Sequence, residues 1–434
     1  MIKTTQNFVK RTIFPEIAQH LKAEEITLII GPRQVGKTTL LFQLKDYLIK
    51  HKHYSEKNIL FFNLDLIDDF AQIKNQTHFI HILKESLKFL ETKPLFVFID
   101  EAQRIENAGI FFKGIYDLNL PIKFILTGSS ALEIKDKIHE SLTGRKRLFY
   151  LYPFTFYEYL KSKDNFLAQL ILEKNISSYR QGDILNHLFN FIVYGGYPKT
   201  ALEKNPEEQT QFLKEIHSSY IEKDIIGFLK IKDPLAFIAL FNILAGEIGQ
   251  LVNLRELSNT VNIVYRTLEK YISTLEKTFV VKRVLPFFKN RRKELTKIPK
   301  IYFLDAGLRN FALKSFTGFE TRQDKGALLE NFIFSEIYKQ TDLQLHFWRT
   351  KEKAEVDFVL TDYVGIILPI EVKAVSLKYS EISRSFRSFI TRYRPKQAII
   401  VNLGFQGKTQ LDQTEIIFIH PYEISKAIKE YGIF

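Results

Sequence analysis

The chain has 434 residues, 45% of them apolar, and a formal net charge of +13. That is enough for two or three cored domains, and the positive charge points to a polyanionic partner, most plausibly nucleic acid. No cysteine is present and the ten histidines are scattered, which excludes disulfides, thiol catalysis and cysteine-ligated zinc and leaves no HExxH-type metal spacing. Residues 1–11 lack a signal-peptide stretch and no run approaches the about 18 apolar residues of a membrane span, so a cytoplasmic protein with no membrane contact is expected.

In chain order, the apolar run 26–30 predicts a buried strand. Gly31-Pro32-Arg33-Gln34-Val35-Gly36-Lys37-Thr38 follows, and residues 38–50 predict a helix with Leu40, Leu41, Leu44 and Leu48 on one face. Strand, GxxxxGK[ST] loop and helix together predict a phosphate-binding loop: backbone N–H groups and the helix N-terminus cradle the β-phosphate. Lys37 reaches the β- and γ-phosphates of ATP, and the Thr38 hydroxyl takes one place on Mg²⁺. Residues 95–99 form a second continuous apolar run, as in a parallel strand covered on both faces, ending in Asp100-Glu101. Asp100 suits the Mg²⁺ shell, and Glu101 suits orientation and deprotonation of the attacking water, which argues for hydrolysis rather than binding alone.

A third strand, 123–126, runs into Thr127-Gly128-Ser129-Ser130. Ser129 is either a sensor that hydrogen-bonds the attacking water or a helix N-cap. Arg145, before a strand at 148–152, is either an arginine finger acting on a neighbouring subunit, a surface arginine or a DNA contact. The finger reading implies a homo-oligomer, with a ring as one form. The alternation of strands and helices over residues 1–152 predicts a parallel sheet with helices on both faces: an α/β P-loop core.

Residues 153–232 turn helical and predict a lid, with helices at 154–162, 165–174, 182–193 and 209–229 and a break at Gly195-Gly196-Tyr197-Pro198. That break reads as a hinge, an adenine contact or a plain turn. Residues 233–304 predict three helices, 234–248, 253–259 and 264–276, then strands 279–286 and 300–304 around a basic loop. This is the order of a winged helix-turn-helix, in which Arg266 and Lys270 of the third helix face away from Leu268 and Ile272. The wing holds Lys282, Arg283, Lys289, Arg291, Arg292, Lys293, Lys297 and Lys300 against the single acid Glu294. Base contacts from Arg266 and Lys270 and phosphate contacts from Lys289, Arg291, Arg292 and Lys293 would make this a DNA-binding module. Protein binding or a merely solvated loop are the alternatives.

Residues 305–434 predict an αβββαβ unit: helix 326–339, strands 345–349, 355–360 and 366–374, helix 381–393 and strand 397–402. Glu371 and Lys373, two apart on a strand, project from one face. Asp357 sits on the neighbouring strand. Asp357 and Glu371 are expected to hold a divalent metal, with Glu330 as a third ligand and Lys373 positioning a water for phosphodiester attack. A salt-bridged sheet surface or a degenerate nuclease scaffold is the alternative.

Together these stretches resemble, over nearly the whole chain, the prokaryotic AAA-type ATPases that carry a C-terminal DUF4143 domain. The resemblance rests on residues 31–39 (through Thr39), Ile99-Asp100-Glu101-Ala102-Gln103, Leu126-Thr127-Gly128-Ser129-Ser130 and Gly195-Gly196-Tyr197-Pro198. It continues through Tyr302-Phe303-Leu304-Asp305-Ala306-Gly307-Leu308, Leu329-Glu330-Asn331 and Pro369-Ile370-Glu371-Val372-Lys373. It implies an ATP-binding AAA core, a winged-helix segment and a restriction-endonuclease-like fold of the PD-(D/E)XK class, with no departure at Lys37, Asp100, Asp357, Glu371 or Lys373. The function expected is ATP hydrolysis that drives or controls binding and remodelling of DNA. A slow ATP-gated switch and an ATP-licensed metal-dependent nuclease are its rivals.

Overall fold

The computed structural model describes residues 8–90, 94–128, 142–173, 176–220, 231, 233–287, 298–362 and 364–431. The chain divides into two compact units, Met1–Pro153 with Lys277–Phe279 and Phe154–Glu276 with Val280–Phe434.

The first unit runs α1 (Phe14–His20), β1 (Ile26–Ile30), α2 (Lys37–Lys52), β2 (Ile59–Asn63), α3 (Ile67–Ile73), α4 (Gln76–Lys88), β3 (Leu95–Asp100), α5 (Ala108–Tyr116), β4 (Ile122–Gly128) and β5 (Lys146–Tyr150). Its five strands are all parallel, in the order β2-β3-β4-β1-β5. Every residue of β1 and β3 is buried, which is why both read as unbroken apolar runs rather than alternating ones. Helix α2 buries Leu40, Leu41, Leu44 and Leu48. The register Ile30↔Gly128 brings the carboxyl ends of β1 and β4 together, and β3 beside β4 adds Asp100 to the same edge. Ligands of open α/β sheets bind outside this edge.

The second unit begins with α6 (Phe156–Lys163), α7 (Asn165–Glu173), α8 (Ser178–Tyr194), α9 (Pro198–Leu202), α10 (Pro206–Ser219), α11 (Pro234–Gly246), α12 (Leu254–Thr260) and α13 (Tyr265–Lys277). Thr155 and Glu158 form a reciprocal capping box at the start of α6. Asn253 caps α12 by accepting from the N–H groups of Arg255 and Glu256. The break after α8 is a clasp inside this unit. Gly196 N donates to Asp305 Oδ2 at 2.7 Å, and Phe154 N donates to Gly196 O at 2.7 Å. A Cβ on Gly195, whose φ is +79°, would lie 2.3 Å from Asp305 Oδ1, so the close approach requires glycine.

The chain continues through β6 (Val281–Pro286), β7 (Lys300–Phe303), α14 (Ala306–Ala312), α15 (Lys325–Gln340), β8 (Gln344–Arg349), β9 (Glu355–Thr361), β10 (Ile367–Val372), α16 (Arg384–Tyr393), β11 (Gln397–Val401), β12 (Gly407–Leu411), β13 (Thr414–Ile419) and α17 (Ile424–Tyr431). The expected αβββαβ order is present from α15 to β11, and the hairpin β12–β13 extends it. The eight-stranded sheet runs β12-β13-β11-β10-β9-β8-β6-β7. The β6–β7 hairpin is therefore not a detached wing. Leu285 and Pro286 pair with His346 and Phe347 of β8, and Phe287 N donates to Phe347 O at 2.5 Å. Phe287, Trp348, Phe386 and Phe389 pack in one buried cluster over this sheet.

Candidate active site

Strand β1 delivers residues 31–36 to the edge of the first sheet, and α2 starts at Lys37 behind a left-handed Gly36. Pro32 and Val35 are buried, Arg33 and Thr39 are half-buried and Gln34 is exposed. A clamp that the motif does not contain steadies the loop: Arg11 donates through Nη1 to Val35 O at 3.0 Å and through Nη2 to Tyr152 O at 2.6 Å. The Lys37 ammonium donates to the carbonyls of Gly31 and Pro32, at 3.1 and 2.9 Å. It is thus folded over the cradle that a phosphate would share with it.

Thr38 Oγ1 donates to Asp100 Oδ2 at 2.5 Å, which ties the loop helix to the end of β3. The Thr127 hydroxyl, at the end of β4, donates to the other carboxylate oxygen of Asp100. The same hydroxyl accepts from Glu101 N at 3.1 Å. Burial pushes the Asp100 carboxyl up from its ordinary value, while the Thr127 and Thr38 hydroxyls hold it down, Glu101 raises it and Lys37 lowers it. Glu101 follows in the left-handed region at φ 58°, and the Gln103 amide donates to its carboxylate. A non-glycine residue held there carries backbone strain. The arrangement presents a loop of N–H donors, a hydroxyl beside a carboxylate, and an adjacent half-buried carboxylate: the parts needed to bind a phosphate–metal pair and orient a water.

Thr127, the first hydroxyl of the segment expected to act as a sensor, joins both acids. Ser129 itself lies outside the described residues. Arg145 sits at the foot of β5, where its carbonyl accepts from Ile26 N, at the opposite end of β1 from the phosphate loop. Its guanidinium bonds Asp117 at 2.7 Å.

On α13, Arg266 and Lys270 are exposed while Leu268, Tyr271, Ile272 and Leu275 are buried, as the periodicity predicts. Lys289, Arg291, Arg292, Lys293 and Lys297 lie outside the described residues. Three other cations counted with the wing belong elsewhere. Arg283 bonds Glu276 and Glu269 at 2.7 and 2.8 Å, Lys282 lies 3.9 Å from Glu276, and Lys300 is buried at 2% exposure in the acid cluster of the second sheet.

Glu330 and Asp357 of the expected metal site lie at that cluster. Among the described residues no three His, Cys, Asp or Glu side chains converge as a metal site. Lys300 Nζ lies 3.0 Å from Glu330 Oε1 and 2.6 Å from Glu355 Oε1. Tyr302 Oη donates to the same Glu330 oxygen at 2.5 Å. Asp357 Oδ2 accepts from Val372 N at 2.7 Å. Its carboxyl is pushed well above the ordinary value by burial and by Glu330, with Lys300 pulling the other way. Glu371 lies close enough that its charge also raises the Asp357 carboxyl. Burial raises the Glu371 carboxyl, Ser383 and Lys373 lower it and Glu381 raises it, and its Oε2 is buried with no hydrogen-bond partner. Lys373 is anchored by its backbone N–H to Val401 O at 2.8 Å. The buried ammonium of Lys300 thus pairs with Glu330, one of the expected metal ligands, and with Glu355. The signal was period two: Lys300 and Tyr302 share one face of β7, and Glu355 and Asp357 share one face of β9.

Known proteins resemble the chain in segments and along its length. Residues 23–160 match the family described as AAA domain, residues 325–422 the domain of unknown function DUF4143, and residues 185–319 the domain of unknown function DUF8612. The chain therefore joins an AAA-type ATPase domain to a C-terminal DUF4143 domain. An uncharacterized protein of Methanocaldococcus jannaschii is 28% identical over 430 residues, 95% of this chain and 90% of its own length. One of Haemophilus influenzae is 24% identical over 410 residues, 93% and 95% of the two chains. Among solved structures, the ORC2 protein of Aeropyrum pernix in ADPNP–ADP complexes superposes with a TM-score of 0.38 at 12% identity, over 64% of this chain and 89% of that one. No helix among the described residues is long and apolar enough to cross a membrane.

Proposed function

We propose that the chain binds ATP with Mg²⁺ at residues 31–39, hydrolyses it, and uses the cycle to control engagement of DNA. The observation that carries the reading is the 2.5 Å bond from Thr38 to Asp100, which sets the hydroxyl and carboxylate of a phosphate–metal site side by side. Bound there by Thr38 and the shell of Asp100, Mg²⁺ would neutralise charge developing on the β- and γ-phosphates. On nucleotide binding Lys37 exchanges the carbonyls of Gly31 and Pro32 for phosphate oxygens. Glu101 accepts the proton of the attacking water as its oxygen bonds to the γ-phosphorus and the bond to the β–γ bridging oxygen breaks, leaving ADP and phosphate. In this proposal Ser129 is the sensor, and Arg145 serves a second copy of the chain.

The DNA reading is supported by the exposed Arg266 and Lys270 on α13 and by element order. α11, an extended contact from Leu251 to Lys300, α12, α13 and the β6–β7 hairpin follow the order of a winged helix-turn-helix. Lys289, Arg291, Arg292 and Lys293 would add phosphate contacts. Calorimetric titration with ATP and Mg²⁺ tests the nucleotide site. Saturable binding in the parent and its loss in Lys37→Ala are expected, and equal binding in both would place the nucleotide elsewhere.

A further inference from the structure

We infer that Lys300 is the resident cation of the C-terminal acid site, and that Glu330 and Glu355, with Asp357 bordering them, are arranged for its ammonium rather than for a divalent metal. Three observations converge on this. The ammonium is 2% exposed and lies 2.6 and 3.0 Å from two carboxylates, so the position between them is filled. The acids are oriented toward it by their own partners: Tyr302 donates to the Glu330 oxygen that meets Lys300, and Arg349 Nη1 holds the second oxygen of Glu355 at 2.7 Å. Burial alone would lower the Lys300 ammonium, yet Glu330, Glu355 and Asp357 together hold it well above its ordinary value.

An ammonium in that position repels any divalent ion offered to the same carboxylates, so lysine and metal exclude each other. Charge also joins two parts of the sheet. Lys300 lies on β7, at the far edge, and its partners lie on α15 and β9. Withdrawing β7 would leave these half-buried carboxylates without their cation, which is unfavourable. The site is then a lock that fastens the hairpin bearing the basic loop to the sheet, and the set Glu330, Asp357, Glu371 and Lys373 is no metal nuclease centre while Lys300 is in place.

The test is Mn²⁺ binding by the full chain without nucleotide, followed by the electron paramagnetic resonance of free Mn²⁺. Omitting nucleotide separates it from the ATPase reading. Wild type and Asp357→Asn should bind Mn²⁺ identically, because any ion held elsewhere is common to both. Lys300→Met should gain a site that Lys300→Met with Asp357→Asn loses, and Mn²⁺ should raise the melting temperature of Lys300→Met but not of wild type. Mn²⁺ binding by wild type that disappears in Asp357→Asn overturns the inference. So does a folded Lys300→Met that gains no site. Should Lys300→Met fail to fold, the comparison of wild type with Asp357→Asn decides: equality supports the lock and a difference refutes it.

Discussion

Glu101 pairs a left-handed backbone with an N–H held by Thr127, so its placement depends on a hydroxyl one strand away. Thr127→Val removes that acceptor and one donor to Asp100 while keeping the shape. We expect kcat for ATP to fall by roughly 10–100-fold, as when outer partners of a site are lost, with little change in nucleotide affinity; steady-state kinetics beside a binding titration separates the two. A second single-residue effect is electrostatic. Glu336 is buried, accepts from Phe156 N at 3.0 Å, and has its carboxyl pushed up from 4.5 to about 7, chiefly by burial. A raised carboxyl binds more protons folded than unfolded, so its stabilisation is full below about pH 4.5 and is lost as pH rises through about 7. Glu336→Gln cannot ionise. Melting curves across pH 5 to 8 should show the parent losing stability relative to this variant, on the order of 2–3 kcal/mol, and parallel curves would contradict the assignment. Residues 31–38, Asp100 and Glu101 were legible because their chemistry demands contiguous residues at fixed spacing. Arg11, Thr127 and Lys300 were not, because each acts through a partner distant in sequence.

The β6–β7 hairpin shows the same limit for whole elements. Both strands and the three helices before them could be read from periodicity, with boundaries shifted by one or two residues. Their membership in the C-terminal sheet could not, because it rests on two residue pairs with β8, sixty-one positions along the chain. A run of cations likewise reads as one solvated surface, although Lys300 faces inward and Arg283 is spoken for by Glu269 and Glu276. If the hairpin is integral, removing its anchor should weaken the sheet. Phe287 packs against Phe389 and Tyr393, which also flank Trp348. Because Trp348 is the sole tryptophan, its fluorescence reports on this cluster. Phe287→Ala should move the denaturant midpoint seen by Trp348 downward, by roughly 3–5 kcal/mol in stability. A detached wing would leave that midpoint unmoved.

The chain carries a phosphate-loop motif, a helix with exposed Arg266 and Lys270, and a sheet in which Lys300 pairs with Glu330 and Glu355. The trans role proposed for Arg145 makes assembly part of the chemistry. In a single chain its guanidinium is occupied by Asp117, so service to a neighbour requires that pair to open. Mixing Arg145→Ala with Lys37→Ala protomers should restore ATP turnover above either alone, since mixed contacts pair an intact phosphate loop with an intact arginine. No recovery in verified mixed assemblies would remove the role. Neutralising Arg266 and Lys270 should weaken duplex binding, with a salt slope smaller by about one unit for each contact that is to phosphate. The measurement that bears most directly on the central claim is the ATP hydrolysis rate of the parent and of Glu101→Gln, each with and without duplex DNA. Turnover by the parent that duplex DNA changes is expected, with its loss in Glu101→Gln, roughly 10²-fold or more, and ATP binding retained. Turnover by Glu101→Gln at the parental rate, or a parental rate no higher than that of Lys37→Ala, would contradict the claim.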